Sequence, residues 1–331
     1  MKTPTPIAEI TGTGRFLPEN VVTNLDLERS LDTSDEWIRT RTGIHERRIA
    51  PDDMHAAHLG AEAARGALEE AGADPGDVDI LIVSTATPDR WLPSTACDVQ
   101  AILGCDKAVA FDVMAACTGH LYALSMAEGY IAAGRARIAL VVAAEKMSAI
   151  VDWTDRKTAV LFGDGGGAAV LQPSKGFGRG ILSSHLQSDG NLANLLYRPG
   201  GGAIDPISQS MLDEGRHLLR MNGREIFKNA VRSMAEACEI AIKKAGWVAE
   251  DVDLLVPHQA NIRIIEATAK YAGVPMDKVF VNVDKYGNMS SATVPVAFDE
   301  AREQGRIREG SNVVTVAFGA GLTWGAMAIR M

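Results

Sequence analysis

The chain has 331 residues, enough for one large domain or two ordinary ones with a sizeable core, and its 47% hydrophobic and 23% charged residues are those of an ordinary globular protein. A net charge of -9 with no basic cluster excludes a nucleic-acid footprint, and no apolar run approaches the roughly 18–20 residues that span a bilayer. The opening MKTPTPIAEITG lacks the apolar core of a signal peptide, and the four cysteines at 97, 105, 117 and 238 form neither CxxC nor a zinc spacing, so a cytoplasmic location without structural disulfides is expected.

In chain order, residues 7–12 read as a first strand followed by a turn containing Gly and Pro. Residues 24–40 are polar and helix-like, with a second helix start at Asp35 and Glu36 after Thr33 and Ser34. Residues 55–72 predict an amphipathic helix ending at Gly72, 79–85 a short buried strand and 94–103 another helix. Ala108–Val113 is apolar and β-prone; after a Met-Ala-Ala-Cys-Thr-Gly corner, Leu121, Leu124, Tyr130 and Ile131 recur near helical spacing up to Gly134. Residues 136–145 read as a buried strand, and TAVLFGDGGGAAVLQP (158–173) as two strands joined by a glycine corner. A loop-rich stretch that includes RPGGGAIDPISQS (198–210) precedes a helix over 222–245 that stops at Gly246. A strand at 252–258, a helix at 261–273, a strand at 278–283, a helix at 292–304 and two closing strands in 313–331 complete the chain.

The order repeats. AGADPGDVDILIV at 71–83 matches AGWVAEDVDLLVP at 245–257 at a constant offset, 245 − 71 = 174, and the preceding helices match in type. An α/β unit recurring at about half the chain length predicts duplication, with an N-terminal half over 1–174 and a C-terminal half over 175–331. Two mixed sheets, each covered by helices, would pack into one body.

Cys117 falls where a buried strand turns into a helix, and a thiol at a helix N-terminus is biased toward thiolate. Alone, it reads equally as a small buried hydrophobe. His258, at the end of the strand in the repeated half, and Asn288, in a Gly-Asn turn before an apolar helix, are single polar oddities with ordinary structural explanations. Together the three supply the parts of a carbon–carbon bond-forming thioester chemistry. A thiolate takes an acyl group, and neutral N–H donors hold an enolate oxygen without protonating its carbon. Backbone N–H groups at Cys117 and in the Phe318-Gly-Ala-Gly turn would form an oxyanion hole.

Over nearly its whole length the chain resembles the β-ketoacyl-acyl-carrier-protein synthase III family of condensing enzymes. The motifs are Thr33-Ser-Asp-Glu-Trp-Ile, Thr40-Arg-Thr-Gly-Ile, Asp112 to Gly119, Phe162-Gly-Asp-Gly, Val256-Pro-His-Gln-Ala-Asn, Gly287-Asn-Met-Ser-Ser-Ala and Phe318-Gly-Ala-Gly-Leu-Thr-Trp-Gly, in family order. The resemblance implies a thiolase-like duplicated α/β fold layered α-β-α-β-α, a homodimer, and a catalytic triad of Cys117, His258 and Asn288. It implies decarboxylative condensation of an acyl-CoA primer with malonyl-acyl-carrier protein to initiate fatty-acid synthesis, with no cofactor beyond the coenzyme A thioester substrate and no nucleic-acid or membrane partner. Trp37 and Arg156 would stack on either side of the adenine, with Thr33, Arg41, Arg224 and Asn261 as further coenzyme A contacts. The Cys117 and Ala320 backbone would make the oxyanion hole, Leu92 would line the acyl pocket across the dimer interface, and Lys228 and Arg263 would meet the acidic carrier protein.

Departures from the family pattern fall at Ala320, where some relatives carry glycine, at Leu92, often aromatic, and at Arg224, where some have asparagine; they leave primer choice open. Related enzymes that condense long acyl chains or supply polyketide starters share the chemistry. A thiolase would need a second cysteine near Phe318, where this chain has Ala317, and a silent scaffold subunit would not need an intact triad. Gly163-Asp-Gly-Gly-Gly-Ala168 fits a GxGxxA phosphate loop, but AAVLQP continues as a strand rather than opening a helix. His55 and His58 lack further ligands, so no metal site is expected.

Overall fold

The computed structural model describes residues 5–176 and 178–331. Nine strands build two sheets: β1 (Ala8–Phe16), β2 (Ile80–Ser84), β3 (Val109–Val113), β4 (Ala139–Lys146), β5 (Asp164–Pro173), β6 (Gly180–Ser188), β7 (Leu254–Pro257), β8 (Asn312–Gly319) and β9 (Thr323–Arg330). The main helices are α1 (Asp35–Thr42), α2 (Ala56–Ala71), α3 (Thr95–Leu103), α4 (Gly119–Ala132), α5 (Gly223–Lys244), α6 (Ile262–Tyr271) and α7 (Thr293–Glu303). The first sheet runs β1-β5-β4-β2-β3, antiparallel across its first two pairings and parallel across the last two. The second runs β6-β9-β8-β7 with the same sequence of two antiparallel pairings and then a parallel one.

Strand periodicity explains the layering. In β2, Leu81 and Val83 face the α2–α3 side, whereas Ile80 and Ile82 face the opposite side together with Leu121 and Leu124 of α4 and Val294 and Phe298 of α7. Val313 and Ala317 of β8 close that central layer, while Val314 and Val316 turn to Ile226, Met234 and Ile265 on α5 and α6. The order of layers is therefore α2/α3, sheet, α4/α7, sheet, α5/α6, the expected α-β-α-β-α arrangement.

The matched segments behave alike locally. Helix α2 ends at Gly72 (φ 60°) and α5 runs out at Gly246 (φ 78°), and each is followed by a short 3-10 turn. Asp79 accepts the backbone N–H groups of Arg137 and Ile138, and Asp253, at 79 + 174, accepts that of Asn312. Remote carboxylates also cap helices: Asp89 accepts from the N–H groups of Ala56 and Ala57, and Asp112 from those of Thr95 and Ala96.

Two expectations are corrected. Residues 158–173 are not a hairpin: Arg156–Ala159 is one helical turn capped by Asp155, and β5 is a single strand containing the whole glycine run. The glycines thin the strand instead of turning it. A Cβ on Gly166 would lie 2.3 Å from the Leu59 carbonyl oxygen of α2, and one on Gly167 2.8 Å from Pro295 of α7. Residues 278–283 are not a strand either; pairing shrinks to one bridge, Leu255 to Val279. Gln259 takes over the backbone there, its amide N–H groups donating to the carbonyls of Pro257 and Phe280 and its oxygen accepting from the N–H groups of Asn282 and Val283.

Gly166→Val should destabilise the protein by about 3 kcal/mol, since overpacking against a fixed backbone cannot relax through a side chain. A lowered urea midpoint checks it; an unchanged midpoint would show that α2 moves freely from β5.

Candidate active site

Cys117 lies in the 3-10 turn Ala116–Thr118 between β3 and α4, with Ala116 at φ 45° forcing the chain around the corner. The last hairpin presses on this elbow. A Cβ on Gly319 would fall 2.7 Å from the Cys117 nitrogen, and Thr323 Oγ1 lies 3.1 Å from the carbonyl oxygens of Ala115 and Ala320. The Cys117 thiol is buried and donates to Ser290 Oγ at 3.5 Å.

His258 follows β7 directly and its backbone N–H donates to the Val316 carbonyl at 2.7 Å. Its Nδ1 lies 2.6 Å from Thr293 Oγ1, leaving Nε2 for the cavity. Asn288 is clamped on both sides: its N–H donates to the Leu161 carbonyl and its carbonyl accepts from Gly163 N–H. Its Oδ1 accepts from Ser290 N–H at 2.8 Å, so the side-chain NH2 is the end left for a substrate. Cys117, His258 and Asn288 line one mostly apolar cavity of about 160 Å³ with Leu161, Met221 and Phe318. A larger charged cleft of about 620 Å³ is lined by residues such as Arg15 and Arg302, which are paired with Asp299, Glu303 and Glu70, and contains none of the three.

Burial decides the electrostatics. It pushes the Cys117 thiol up to about 12, against the Ser290 hydrogen bond and with a further upward push from Glu145. The expected thiolate bias of the helix end is therefore outweighed by desolvation in the unliganded site. Burial also pushes the His258 imidazole down to about 3, so it is neutral. Glu145 is fully buried at the end of β4, its carboxyl raised by burial. It accepts from Ala86 N–H, Thr87 Oγ1, Ser291 N–H and Ser291 Oγ, tying the Asn288–Ser291 loop to β2 and β4.

Of the other expected residues, Asn261 lines the same cavity. Arg156 and Arg41 stand 5.3 and 5.6 Å from the Trp37 ring, and Arg156 also holds the Asp32 carbonyl next to Thr33. Asn261 caps α6 through Arg263 N–H and donates to the Arg41 carbonyl at 2.9 Å. Arg224 and Lys228 are exposed on the first turns of α5. The Arg263 guanidinium lies 5.8 Å from the ring of Phe227, a cavity residue. Ala320 follows Gly319 at the elbow, whereas Leu92 is 86% exposed and does not line the cavity. Sequence reasoning missed Glu145, Ser290, Thr293 and the apolar lining. Glu145 carried a signal, a carboxylate directly after the apolar run Ile138–Ala144. Among the described residues no cluster of three His, Cys, Asp or Glu side chains offers a metal site, and no helix is long and apolar enough to cross a membrane.

Family models for 3-oxoacyl-[acyl-carrier-protein] synthase III match residues 111–190 and, for its C-terminal part, 242–331. A β-ketoacyl-[acyl-carrier-protein] synthase III of Symbiobacterium thermophilum is 53% identical over 97% of both chains. The crystal structure of 3-oxoacyl-[acyl-carrier-protein] synthase III from Aquifex aeolicus superposes with a TM-score of 0.90 at 46% identity, covering 98% of this chain and 100% of the other. The priming β-ketosynthase of the R1128 polyketide pathway has the same TM-score at 36% identity, covering 99% and 97%. The chain belongs to the β-ketoacyl-[acyl-carrier-protein] synthase III family and is an acyltransferase of that type.

Two outcomes follow from the geometry. Because burial lowers the His258 pKa, the neutral ring persists until pH falls toward about 3; malonyl-thioester decarboxylation should show no acid limb from His258 between pH 5 and 8. A limb near pH 6.5 that vanishes in His258→Asn would contradict it. Glu145→Ala, which removes the shared acceptor of the Ala86 and Ser291 N–H groups and the Thr87 and Ser291 hydroxyls, should cost about 3 kcal/mol, read from the unfolding midpoint.

Proposed function

We propose that Cys117 carries the acyl group and that His258 and Asn288 hold the enolate in the family's reaction. As a member of this family the chain catalyses the condensation that initiates fatty-acid synthesis, joining an acyl-CoA primer to malonyl-acyl-carrier protein. The observation that supports the assignment is the convergence of a thiol from one half with two neutral donors from the other on one apolar cavity.

The Cys117 sulfur attacks the acyl-CoA carbonyl, the tetrahedral oxyanion accepts from the Cys117 and Ala320 backbone N–H groups, and the C–S bond to coenzyme A breaks as the acyl-enzyme forms, with the proton lost by the Cys117 thiol ending on the coenzyme A thiol. Malonyl-carrier protein then loses CO2. The electron pair of the broken bond passes into an enolate whose oxygen accepts from His258 Nε2–H and the Asn288 NH2. A neutral imidazole donates without surrendering its proton to the carbanion, which attacks the acyl-enzyme carbonyl; the C–S bond breaks, β-ketoacyl-carrier protein leaves, and the released Cys117 thiolate takes a proton from solvent.

Trp37 and Arg156 form the adenine sandwich, helped by Thr33, Arg41, Arg224 and Asn261, and Lys228 and Arg263 receive the acidic carrier protein. No cofactor is needed, since the coenzyme A thioester is itself the substrate, and the enzyme works in the cytoplasm. The two halves, 1–174 and 175–331, are copies of one unit, a reading supported by the parallel order of pairings in the two sheets and by the like roles of Asp79 and Asp253. A homodimer is supported by β3, an edge strand of the first sheet that begins at exposed Val109 and is followed by exposed Met114, with Trp91 and Leu92 also exposed. Leu92 then reaches the acyl pocket of the partner.

Intact-mass measurement with an acyl-CoA panel tests the assignment. Cys117→Ala should abolish the acyl adduct. His258→Ala and Asn288→Ala should lower decarboxylation by roughly 10²–10³-fold while acylation stays within about tenfold. Acylation of Cys117→Ala, or equal loss of both half-reactions in the other two, would sink the division of roles.

A further inference from the structure

We propose that Thr293 is a positioning residue whose hydroxyl donates to His258 Nδ1, fixing the imidazole as its Nε2–H tautomer and so making His258 a hydrogen-bond donor rather than a base. The inference rests on His258 being the enolate-holding group. Its starting point is a single buried hydroxyl with two neighbours: Thr293 Oγ1 lies 2.6 Å from His258 Nδ1 and 3.0 Å from the Ser290 carbonyl oxygen. All three residues are buried, so no bulk water competes for these groups.

One hydroxyl proton cannot serve both neighbours. If it goes to the Ser290 carbonyl, Nδ1 must carry the ring proton and donate to Oγ1, which turns a bare Nε2 lone pair toward the cavity. If it goes to Nδ1, the ring proton sits on Nε2. The demands of the neighbours separate the two cases. The Ser290 carbonyl already accepts the backbone N–H of Thr293, so it does not need the hydroxyl. His258 Nδ1 has Thr293 as its hydrogen-bond partner, and that contact is the shorter of the two. An N–H···O bond spans about 2.7–3.2 Å and a hydroxyl donates at about 2.5–3.0 Å, so the 2.6 Å contact fits the Thr293 hydroxyl donating to Nδ1, whereas 3.0 Å is long for the same hydroxyl donating to the Ser290 carbonyl.

The local backbone keeps the hydroxyl in place. Thr293 opens α7, and Ser290, three residues earlier, is held at φ 47° with its N–H on Asn288 Oδ1. A β-branched side chain on a helix has few rotamers, so Oγ1 has little freedom to leave Nδ1. One turn, Asn288–Thr293, therefore sets the polarity of both donors. Ser290 N–H orients the Asn288 amide so that NH2 faces the cavity, and Thr293 O–H orients the imidazole so that Nε2–H does.

The ring nitrogens report the tautomer directly. Nitrogen-15 NMR of the 15N-histidine-labelled full-length enzyme at pH 7 should show Nε2 protonated and Nδ1 unprotonated for His258, assigned by its loss in His258→Ala. Thr293→Val should shift the ring toward a mixture of tautomers and lower malonyl-carrier-protein decarboxylation by about 10–100-fold, with acylation of Cys117 within about threefold. Thr293→Ser should restore both the spectrum and the rate, a rescue that a loss of methyl packing would not produce. A protonated Nδ1 in the wild type, or a Thr293→Val enzyme with unchanged ring shifts and rate, overturns the inference. Should Thr293→Val fail to fold, the wild-type spectrum and Thr293→Ser still decide it. Full decarboxylation by His258→Ala would instead overturn the role of His258 itself.

Discussion

The architecture of this site depends on one buried carboxylate. Glu145 lies next to the last residue of β4, after a run of apolar residues, and its oxygens take up donors from just beyond β2 and from Ser291. Those bonds fasten a loop of the C-terminal half into the N-terminal half. The loop is gripped on its other flank by Leu161 and Gly163 around Asn288. Such a network is favourable only when every member is satisfied, because a stranded donor at this depth has no water to turn to. Position along the loop is thereby fixed over Asn288, Ser290 and Thr293, which respectively reach the cavity, the Cys117 thiol and the His258 ring.

Element types and order were legible in the sequence because periodicity is strong wherever one face of an element is buried. Helix α2 ends at Gly72 and α5 stops just before Gly246, as their patterns predict. Reading failed where a local signal had two physical meanings. A glycine run signals a turn when it faces solvent, but in β5 it lets α2 and α7 approach from both sides. The apolar run 278–283 has strand composition, yet the Gln259 side chain supplies the hydrogen bonds that a neighbouring strand would have supplied. Cys117, His258 and Asn288 were legible as a set through their motifs. Ser290, Thr293 and Glu145 were not, because serine, threonine and a single glutamate acquire meaning only from the partners the fold brings to them.

Desolvation acts on the thiol and the imidazole in ways that serve different steps. For His258 it removes the imidazolium and leaves a neutral ring, which suits the hydrogen-bond donor role proposed for it. For Cys117 it opposes the thiolate. The opposing contributions are the Ser290 hydrogen bond and the N-terminal end of α4. A buried thiol that is hard to ionise before substrate arrives is also poorly reactive toward stray electrophiles, since the thiolate is the nucleophile.

Glu145 adds a constraint on how charge is distributed in the cycle. Its carboxyl raises the cost of a thiolate at Cys117, and burial raises the cost of its own ionisation, so the interior disfavours two negative charges at once. Acylation removes the conflict by turning the sulfur into a neutral thioester. In the reaction proposed above, the second negative charge, the enolate, then forms only after the first has been consumed, against the neutral donors assigned to His258 and Asn288. On the proposed roles, a site this apolar accommodates the carbanion more readily once the nucleophile no longer competes for the same stabilisation.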